Sequence, residues 1–345
     1  MPLVEHSSLP TFRTLRDQGL TVLSMEEARH QDMPGLRIGL LNMMPDEAFQ
    51  VTEQQFIRLV GGSAHAAHFY VHAFTVEGLR RSELTDAYIA QHYEDIPSIY
   101  AAGLDALIMT GTNVANPDLS REPFYGPMTE VIDWAGRNAT PVLCSCLATH
   151  AVLRFLYRIV RTRLPRKRWG VYSHQMVAPE HPLLQGLALR FDVPHSRYND
   201  ISREQFQEAG LNILIESAEA GVHAAAGADD FRHVYLQGHP EYDVNSLLKE
   251  YKREVRRHFN GERDRPVFPE HYLPDEAVSR INGYLEEARA AHDAGALLPE
   301  FPEAEVVPFL DNTWEAAGQT LIHNWLGLLL QRTTNPEFTS RRQHQ

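Results

Sequence analysis

Residues 141–150 have the sequence PVLCSCLATH, and this stretch decides the predicted fold. A short apolar run ends at a cysteine, and apolar residues at helical spacing follow at once. A buried strand that leads directly into a helix leaves its turn residue at the edge of an α/β sheet, where the free N–H groups of the first helical turn point towards it. The helix dipole favours the thiolate of a cysteine in that place. Cys146 is therefore the candidate nucleophile.

Apolar runs and helical patterns alternate along the rest of the chain. Strands are predicted at 36–44, 67–74, 104–111, 141–145, 211–217, 221–226 and 233–237. Helices are predicted at 52–60, where Thr52 is the expected N-cap, at 127–136 and 245–259, and near 275–294 and 313–332. This order predicts an α/β fold with a mostly parallel sheet and helices on both faces. Residues 1–35 are expected to be a polar lead-in with one short helical piece.

The composition is that of an ordinary globular protein, with 345 residues, 43% hydrophobic and 22% charged. We expect one domain over 1–345, in which 260–345 is a C-terminal, mainly helical extension. A net charge of −13 argues against general binding to nucleic acid or to a membrane surface. The sequence has neither a signal-peptide pattern nor an apolar stretch of membrane-spanning length.

The cysteines and histidines indicate a reducing location and no metal. The two cysteines are two residues apart, so no long-range disulfide is available, and we expect a cytoplasmic protein. We expect Cys144, inside the strand, to be a small buried hydrophobic residue. The 18 histidines include no HExxH motif and no Cys/His cluster at ligand spacing, so neither a metal nor another bound cofactor is expected.

A candidate base follows the last clear strand, in the sequence GHPE at 238–241. A thiol nucleophile needs a base within hydrogen-bond reach and a third group that orients the base. On an extended segment residues i and i+2 point the same way, so Glu241 can orient His239. Both would lie with Cys146 at the carboxyl ends of parallel strands. A polar turn in which Glu241 begins the next helix is the alternative.

An oxyanion hole is expected beside the nucleophile. The backbone N–H of Leu147 is one donor by position, and the turn at 111–113, with Thr112 at its centre, is the candidate for a second. A simple strand-to-loop turn is equally compatible with that sequence.

The chain contains six distinctive motifs, LNMMP at 41–45, CLATHA at 146–151, WGVY at 169–172, PHSRY at 194–198, GHPEYD at 238–243 and HNWL at 323–326. Together they resemble the homoserine O-succinyltransferase (homoserine transsuccinylase) family. They run in family order over about 9–258 and again near 311–332. The set is far more specific than any single motif.

The resemblance implies a class I glutamine-amidotransferase-like (flavodoxin-like) fold and succinyl transfer from succinyl-CoA to the homoserine hydroxyl, in methionine biosynthesis. Cys146 matches the family's acyl-thioester cysteine, and His239 and Glu241 match its base and orienting carboxylate. Arg253 matches the arginine that holds the amino acid's carboxylate, whereas its spacing alone indicates a solvated helix face. Two further substrate-binding positions match Lys167 and Ser196, although the run at 166–168 alone would be an exposed charge cluster.

The position that separates acyl donors in the family aligns with Ala115. A chain with a glutamate at this position would resemble the family members that use acetyl-CoA. The bulky glutamate side chain would fill the pocket, and its negative charge would repel a succinyl carboxylate. A small neutral alanine favours succinyl-CoA. The chain departs from the family at Asp46-Glu47, where many members carry two lysines, so no role of those lysines is carried over.

Several alternatives stay open. They are acetyl transfer to homoserine, succinyl transfer to serine, a glutaminase or cysteine hydrolase, and a non-catalytic binding protein of the same fold. Glutaminases of this class have a sequence similar to Gly-x-Cys-x-Gly around the nucleophile. Here Cys144 and Ala148 stand at the two glycine positions. The expected partners are L-homoserine and succinyl-CoA, the latter as a co-substrate, and a homodimer through the helices at 275–332 is possible.

Overall fold

The structure, a computed structural model, describes residues 2–63, 66–228 and 231–334. The strands are β1 Leu3–Glu5, β2 Val22–Ser24, β3 Gly35–Leu41, β4 His68–Phe74, β5 Ala106–Met109, β6 Val142–Ser145, β7 Thr162–Met176, β8 Arg190–Asp200, β9 Asn212–Ser217, β10 Gly221–Ala226 and β11 His233–Leu236. The helices are α1 Pro10–Asp17, α2 Met25–Arg29, α3 Phe49–Gly61, α4 Glu83–His92, α5 Ile96–Ala102, α6 Tyr125–Arg137, α7 Leu147–Tyr157, α8 Arg203–Glu208, α9 Ser246–Phe259, α10 Asp275–Asp293, α11 Glu303–Val306 and α12 Glu315–Thr334.

These strands form one sheet in the order β2-β1-β4-β3-β5-β6-β11-β10-β9-β7-β8. Every pairing from β2 to β11 is parallel, and every pairing from β11 to β8 is antiparallel. The predicted α/β fold with a mostly parallel sheet is confirmed. Ser145 at the end of β6 pairs with Leu236 at the end of β11, so the residues that follow both strands meet at one edge.

Helices cover both faces of the sheet. On one face, side chains of α1, α3 and α12, among them Phe12, Phe56 and Trp325, join the core side chains of β3, β4 and β6. On the other face, α6 and α7 pack on the same strands, and Met128 and Val152 are fully buried there. Burial of apolar surface on both faces is the main stabilisation of such a sheet. Within the described ranges no helix combines the length and apolar character needed to cross a membrane.

A third cluster joins the antiparallel half of the sheet to the C-terminal helices. Trp169 and Val171 of β7 pack with Tyr251 of α9 and Ile281 of α10. The backbone of Gly170 lies so close to Glu270 that a Cβ would meet the Glu270 carbonyl oxygen at 2.1 Å. This packing sets α9 against β7, so that the charged side chains of α9 lie beside the basic run at 166–168.

The N-terminal prediction is wrong. Residues 2–34 contain two strands and two helices, and β1 pairs in parallel with both β2 and β4. These edge strands are three residues long, too short for an apolar pattern to be distinctive. The helix predicted at 52–60 begins earlier, at Phe49, after a single 3-10 turn at Asp46–Ala48, and Thr52 is a buried interior residue.

The largest omission is the β7–β8 hairpin, whose strands have 15 and 11 residues. The charged segment at 161–168 hides the first of these strands, because it has no apolar alternation. The remaining predicted strands and long helices occur within a few residues of their expected ends.

Candidate active site

Cys146 occupies the turn between β6 and α7, as predicted. Its φ of 53° and ψ of −113° are unusual for a residue with a side chain, and such a conformation persists only where the surroundings enforce it. Its N–H donates to the Leu236 carbonyl at 2.7 Å, and the Thr149 hydroxyl donates to the same carbonyl at 2.8 Å. Cys146 is partly exposed, whereas Cys144 is fully buried and burial raises the pKa of its thiol. The two thiols therefore lie in opposite environments.

The predicted base and its orienting group are in contact. His239 Nδ1–H donates to Glu241 Oε1 at 2.7 Å, and both side chains are buried. That bond assigns the proton to Nδ1 in the neutral ring and leaves Nε2, which is buried and has no nitrogen or oxygen partner, to face the thiol. Burial lowers the pKa of His239, but the Cys146 thiolate and the Glu241 carboxylate outweigh it and hold that pKa well above its usual value. The arrangement places an imidazole, held by a buried carboxylate, beside the Cys146 thiol.

The turn that carries His239 is fixed against the antiparallel half of the sheet. The Gly238 N–H donates to His223 Nδ1 at 3.2 Å, and the His239 N–H donates to the Pro194 carbonyl at 2.9 Å. A Cβ on Gly238 would lie 2.6 Å from Val193 Cγ1, so only glycine fits without movement. The Tyr242 ring stacks on His239 with centroids 4.1 Å apart. These contacts leave the imidazole little freedom.

A buried carboxylate, Glu250 of α9, joins two predicted substrate-binding residues. Its oxygens accept from Lys167 Nζ at 2.9 Å, Ser196 Oγ at 2.6 Å and the Tyr242 hydroxyl at 2.8 Å. Burial raises the pKa of Glu250, but Lys167 and the hydrogen bonds prevail and lower it to about 2. Sequence reasoning missed Glu250, because it stands in a helix rich in charges.

Arg253 lies one turn beyond Glu250 on α9, and residues three apart on a helix are neighbours on one face. Its Nε is 3.7 Å from Glu254 Oε1 and has no hydrogen-bond partner. The structure thus places Lys167 and Ser196 together around Glu250, with Arg253 on the adjoining turn. Their roles in binding substrate stay predictions.

The loop after β5 borders the nucleophile. A Cβ on Gly111 would lie 3.4 Å from the Leu147 nitrogen and 3.7 Å from Cys146 Cβ, so the loop backbone passes directly beside the first N–H of α7. The proposed oxyanion donors, the N–H groups of Leu147 and Thr112, belong to this contact region, and their role stays a prediction. Further along, Ala115 is exposed.

Comparison with known proteins assigns the family. The family model described as homoserine O-succinyltransferase matches residues 2–335. The chain belongs to the homoserine O-succinyltransferase family. A protein named homoserine O-succinyltransferase from Methylococcus capsulatus is 53% identical over 334 residues, which cover 96% of this chain and 94% of that protein. One of the same name from Nitrosococcus oceani is 51% identical over 334 residues, covering 96% and 93%.

Among solved structures, a glutamine amidotransferase from Thermotoga maritima matches with a TM-score of 0.48 and 11% identity, covering 86% of this chain and 98% of that one. A glutamine amidotransferase from Methylobacillus flagellatus matches with a TM-score of 0.48 and 12% identity, covering 87% and 95%.

The departure from the homoserine O-succinyltransferase pattern at Asp46-Glu47 has a structural role of its own. Asp46 Oδ2 accepts from the Ser82 N–H at 2.8 Å, and Arg81 donates to the Met44 carbonyl. The acidic residue thus ties the loop after β3 to the segment that precedes α4.

One group of possible metal ligands occurs in the described part of the chain, formed by His6, His72 and Glu94. His72 Nδ1 and Glu94 Oε1 are 2.6 Å apart and form a hydrogen bond. The group lies at β1 and β4, separated from β6 by β3 and β5. It is remote from Cys146, and the absence of a bound metal stays a prediction.

Proposed function

We propose that this chain transfers the succinyl group of succinyl-CoA to the hydroxyl of L-homoserine through a thioester on Cys146, a step of methionine biosynthesis. Family membership supports the reaction. The observation that carries the mechanism is the strained Cys146 turn facing an imidazole that a buried carboxylate orients. Succinyl-CoA is a co-substrate in this scheme.

In the first half-reaction the Cys146 thiolate attacks the thioester carbonyl. The oxyanion of the tetrahedral intermediate accepts hydrogen bonds from backbone N–H groups, of which Leu147 and Thr112 are our candidates. The carbon–sulfur bond to CoA then breaks, the imidazolium of His239 gives its proton to the departing thiolate, and succinyl-Cys146 remains.

In the second half-reaction neutral His239 takes the proton of the homoserine hydroxyl, which attacks the succinyl-cysteine carbonyl. The bond to Sγ breaks, O-succinylhomoserine forms, and the thiolate–imidazolium pair is restored. A general base of this kind contributes roughly 10²–10⁴-fold. Arg253, Lys167 and Ser196 hold the amino acid so that its hydroxyl lies in line.

The thioester is tested by intact-mass measurement with succinyl-CoA and no acceptor. We expect one succinyl group on the wild type, its loss on addition of L-homoserine, and none on Cys146→Ala. Cys144→Ala is the matched control and should still acquire the adduct. A succinyl group that persists in Cys146→Ala would contradict the assignment of the nucleophile.

The alternatives differ in their substrates, so kcat/KM separates them. We expect succinyl-CoA to exceed acetyl-CoA with L-homoserine, and L-homoserine to exceed L-serine, which lacks one methylene. That methylene is worth about 1–3 kcal/mol in a pocket, so the acceptor preference is the weaker of the two. Glutamine hydrolysis faster than acyl transfer would favour a glutaminase. A cytoplasmic location and a homodimer stay predictions, and light scattering measures the second.

A further inference from the structure

We propose that Arg161 binds the free carboxylate of the succinyl group and thereby selects the succinyl donor over the acetyl donor. The inference rests on the proposed function, because it assigns one end of that substrate to a residue. It concerns a position that no motif in the sequence singles out.

The loop that follows β5 connects Arg161 to the nucleophile. At one end of the loop, Gly111 lies against Cys146 and Leu147. At the other end, Arg161 Nη2 donates to the Asn116 carbonyl at 3.3 Å. Ala115, the predicted donor-selecting position, immediately precedes Asn116. Arg161 thus lies beside the segment where the length and charge of the acyl group are expected to matter.

Arg161 has hydrogen-bonding capacity to spare. Its side chain is half-buried, and its Nε is shielded from solvent with no partner. Against the lowering effect of burial, Glu122 is the carboxylate that acts to raise the pKa of Arg161. Its side chain already accepts hydrogen bonds from the Ala115 and Asn116 N–H groups at 2.7 and 2.6 Å. Among the described residues Arg161 forms no ion pair. A guanidinium in this state is suited to bind a carboxylate with two parallel hydrogen bonds.

The charge of Arg161 acts on the active site. Burial lowers the pKa of Arg161, while the Glu122 carboxylate and the Cys146 thiolate act in the opposite direction. Arg161 also contributes to the low pKa of His150, in the first turn of α7. The carboxylate carbon of an extended succinyl group is roughly 4 Å from its thioester carbon. In the proposed arrangement an extended succinyl group on Cys146 directs its carboxylate along the 111–116 loop, towards Arg161.

Four cations of β7 and β8 have partners. Lys167 pairs with Glu250 at 2.9 Å, and Arg168 and Arg197 pair with Asp200 at 3.1 and 2.9 Å. Arg163 is exposed and lies over the Tyr198 ring.

Arg161 also gives a physical reason for the family pattern at Ala115. A glutamate at 115 would place its carboxylate one residue from Asn116, the backbone partner of Arg161. That carboxylate would form an ion pair with the Arg161 guanidinium within the protein. The pocket would then accept an uncharged acyl group.

The test compares Arg161→Gln with Arg161→Lys and with the neighbouring control Arg163→Gln. We expect Arg161→Gln to lower kcat/KM for succinyl-CoA by roughly 30- to 1,000-fold, as for a lost charge-assisted bidentate contact, and to change that for acetyl-CoA by less than about threefold. Arg161→Lys should retain part of the activity. Arg163→Gln should leave the ratio between donors unchanged.

A second measurement separates recognition from a structural role. In an Ala115→Glu background, Arg161→Gln should no longer change the donor ratio, because the succinyl carboxylate has already lost its partner. An equal loss with both donors in Arg161→Gln, or an unchanged ratio, would overturn the inference. Failure of the wild type to acylate L-homoserine from either donor would instead refute the proposed function.

Discussion

The parallel and antiparallel halves of the sheet build the active site by different means. In the parallel half, Cys146 follows β6 immediately and His239 follows the paired strand β11 after two residues, so backbone geometry positions them. In the antiparallel half, Lys167 and Ser196 lie within long strands, and a buried carboxylate, Glu250, fixes them. Strand ends thus position the predicted reactive groups, and a network of buried charges positions the predicted substrate-binding groups.

The largest expected effect is on the chemistry of the parallel half. In Glu241→Gln the loss of the orienting charge should reduce kcat/KM for succinyl-CoA by roughly 10²–10⁴-fold. Since Glu241 helps to raise the pKa of His239, its loss lowers that pKa, and the alkaline limb of the pH–rate profile, where the imidazolium acid is lost, should move to lower pH. The control is Glu216→Gln on β9, which breaks a surface pair with Arg203 of α8 and should keep the wild-type profile. An alkaline limb that stays in place would remove Glu241 from the mechanism.

The next effect concerns the stability of the antiparallel half. The pKa of Glu250 is about 2 in the folded protein against 4.5 as the ordinary value, so its ionisation contributes about 3 kcal/mol to the free energy of unfolding. Because the folded pKa is depressed, that contribution is complete above pH 4.5 and is lost as the pH falls towards 2. Glu250→Gln should therefore be less stable than the wild type near neutral pH, and the difference should shrink over that window.

Urea unfolding at a series of pH values measures this. Glu219→Gln removes an exposed pair with His271 and should cost at most about 1 kcal/mol, with little dependence on pH in the same window. A constant difference between Glu250→Gln and the wild type from pH 7 down to 3 would show that ionisation of Glu250 does not stabilise the fold.

These two halves also differ in how far the sequence predicts them. Of the parallel strands, β3 to β6 and β11 are apolar runs bounded by turns and are recognisable without a structure, whereas β1 and β2 are too short. In the antiparallel half the apolar β9 and β10 are recognisable too. By contrast, β7 carries Arg166, Lys167 and Arg168, whose partners come from residues 32 to 104 positions away. Pairing over such distances leaves no local pattern, so the segment has the appearance of an exposed charge run.

The site shows the same division. The turn geometry at Cys146 follows from the pattern alone. The expected contact of His239 with Glu241 is present, but it forms within a turn closed by the Tyr242 N–H on the His239 carbonyl, and not along an extended segment. The place of Glu250 does not, because a carboxylate on a charged helix is ordinarily solvated. The family resemblance indicates Lys167 and Ser196 as site residues. Only the structure shows that they lie together, because both donate to Glu250.

A smaller effect tests the junction between the halves. In Gly238→Ala the new methyl group would meet Val193 Cγ1 at 2.6 Å and His223 Nδ1 at 2.9 Å, so the turn carrying His239 must shift. We expect a loss of about 1–3 kcal/mol in the free energy of unfolding, and a loss in kcat without a matching rise in KM. Gly283→Ala is the matched control, because nothing lies within 4 Å of the added Cβ in α10, and it should gain about 1 kcal/mol. Equal kcat in Gly238→Ala and the wild type would show that the turn tolerates displacement.

The smallest effect distinguishes two thiols that lie two residues apart. Cys144 is fully buried on the face covered by α6 and α7, and burial raises the pKa of its thiol, whereas Cys146 is partly exposed at the start of α7. Since the thiolate is the species that reacts, iodoacetamide at neutral pH should add once to the native wild type and to Cys144→Ala, and not to Cys146→Ala. Cys144→Ala should lose only about 1 kcal/mol of stability, because the deleted sulfur is small. Two additions to the native wild type would mean that solvent reaches the strand interior, and the reactivity of Cys146 would then no longer be explained by its place at the turn.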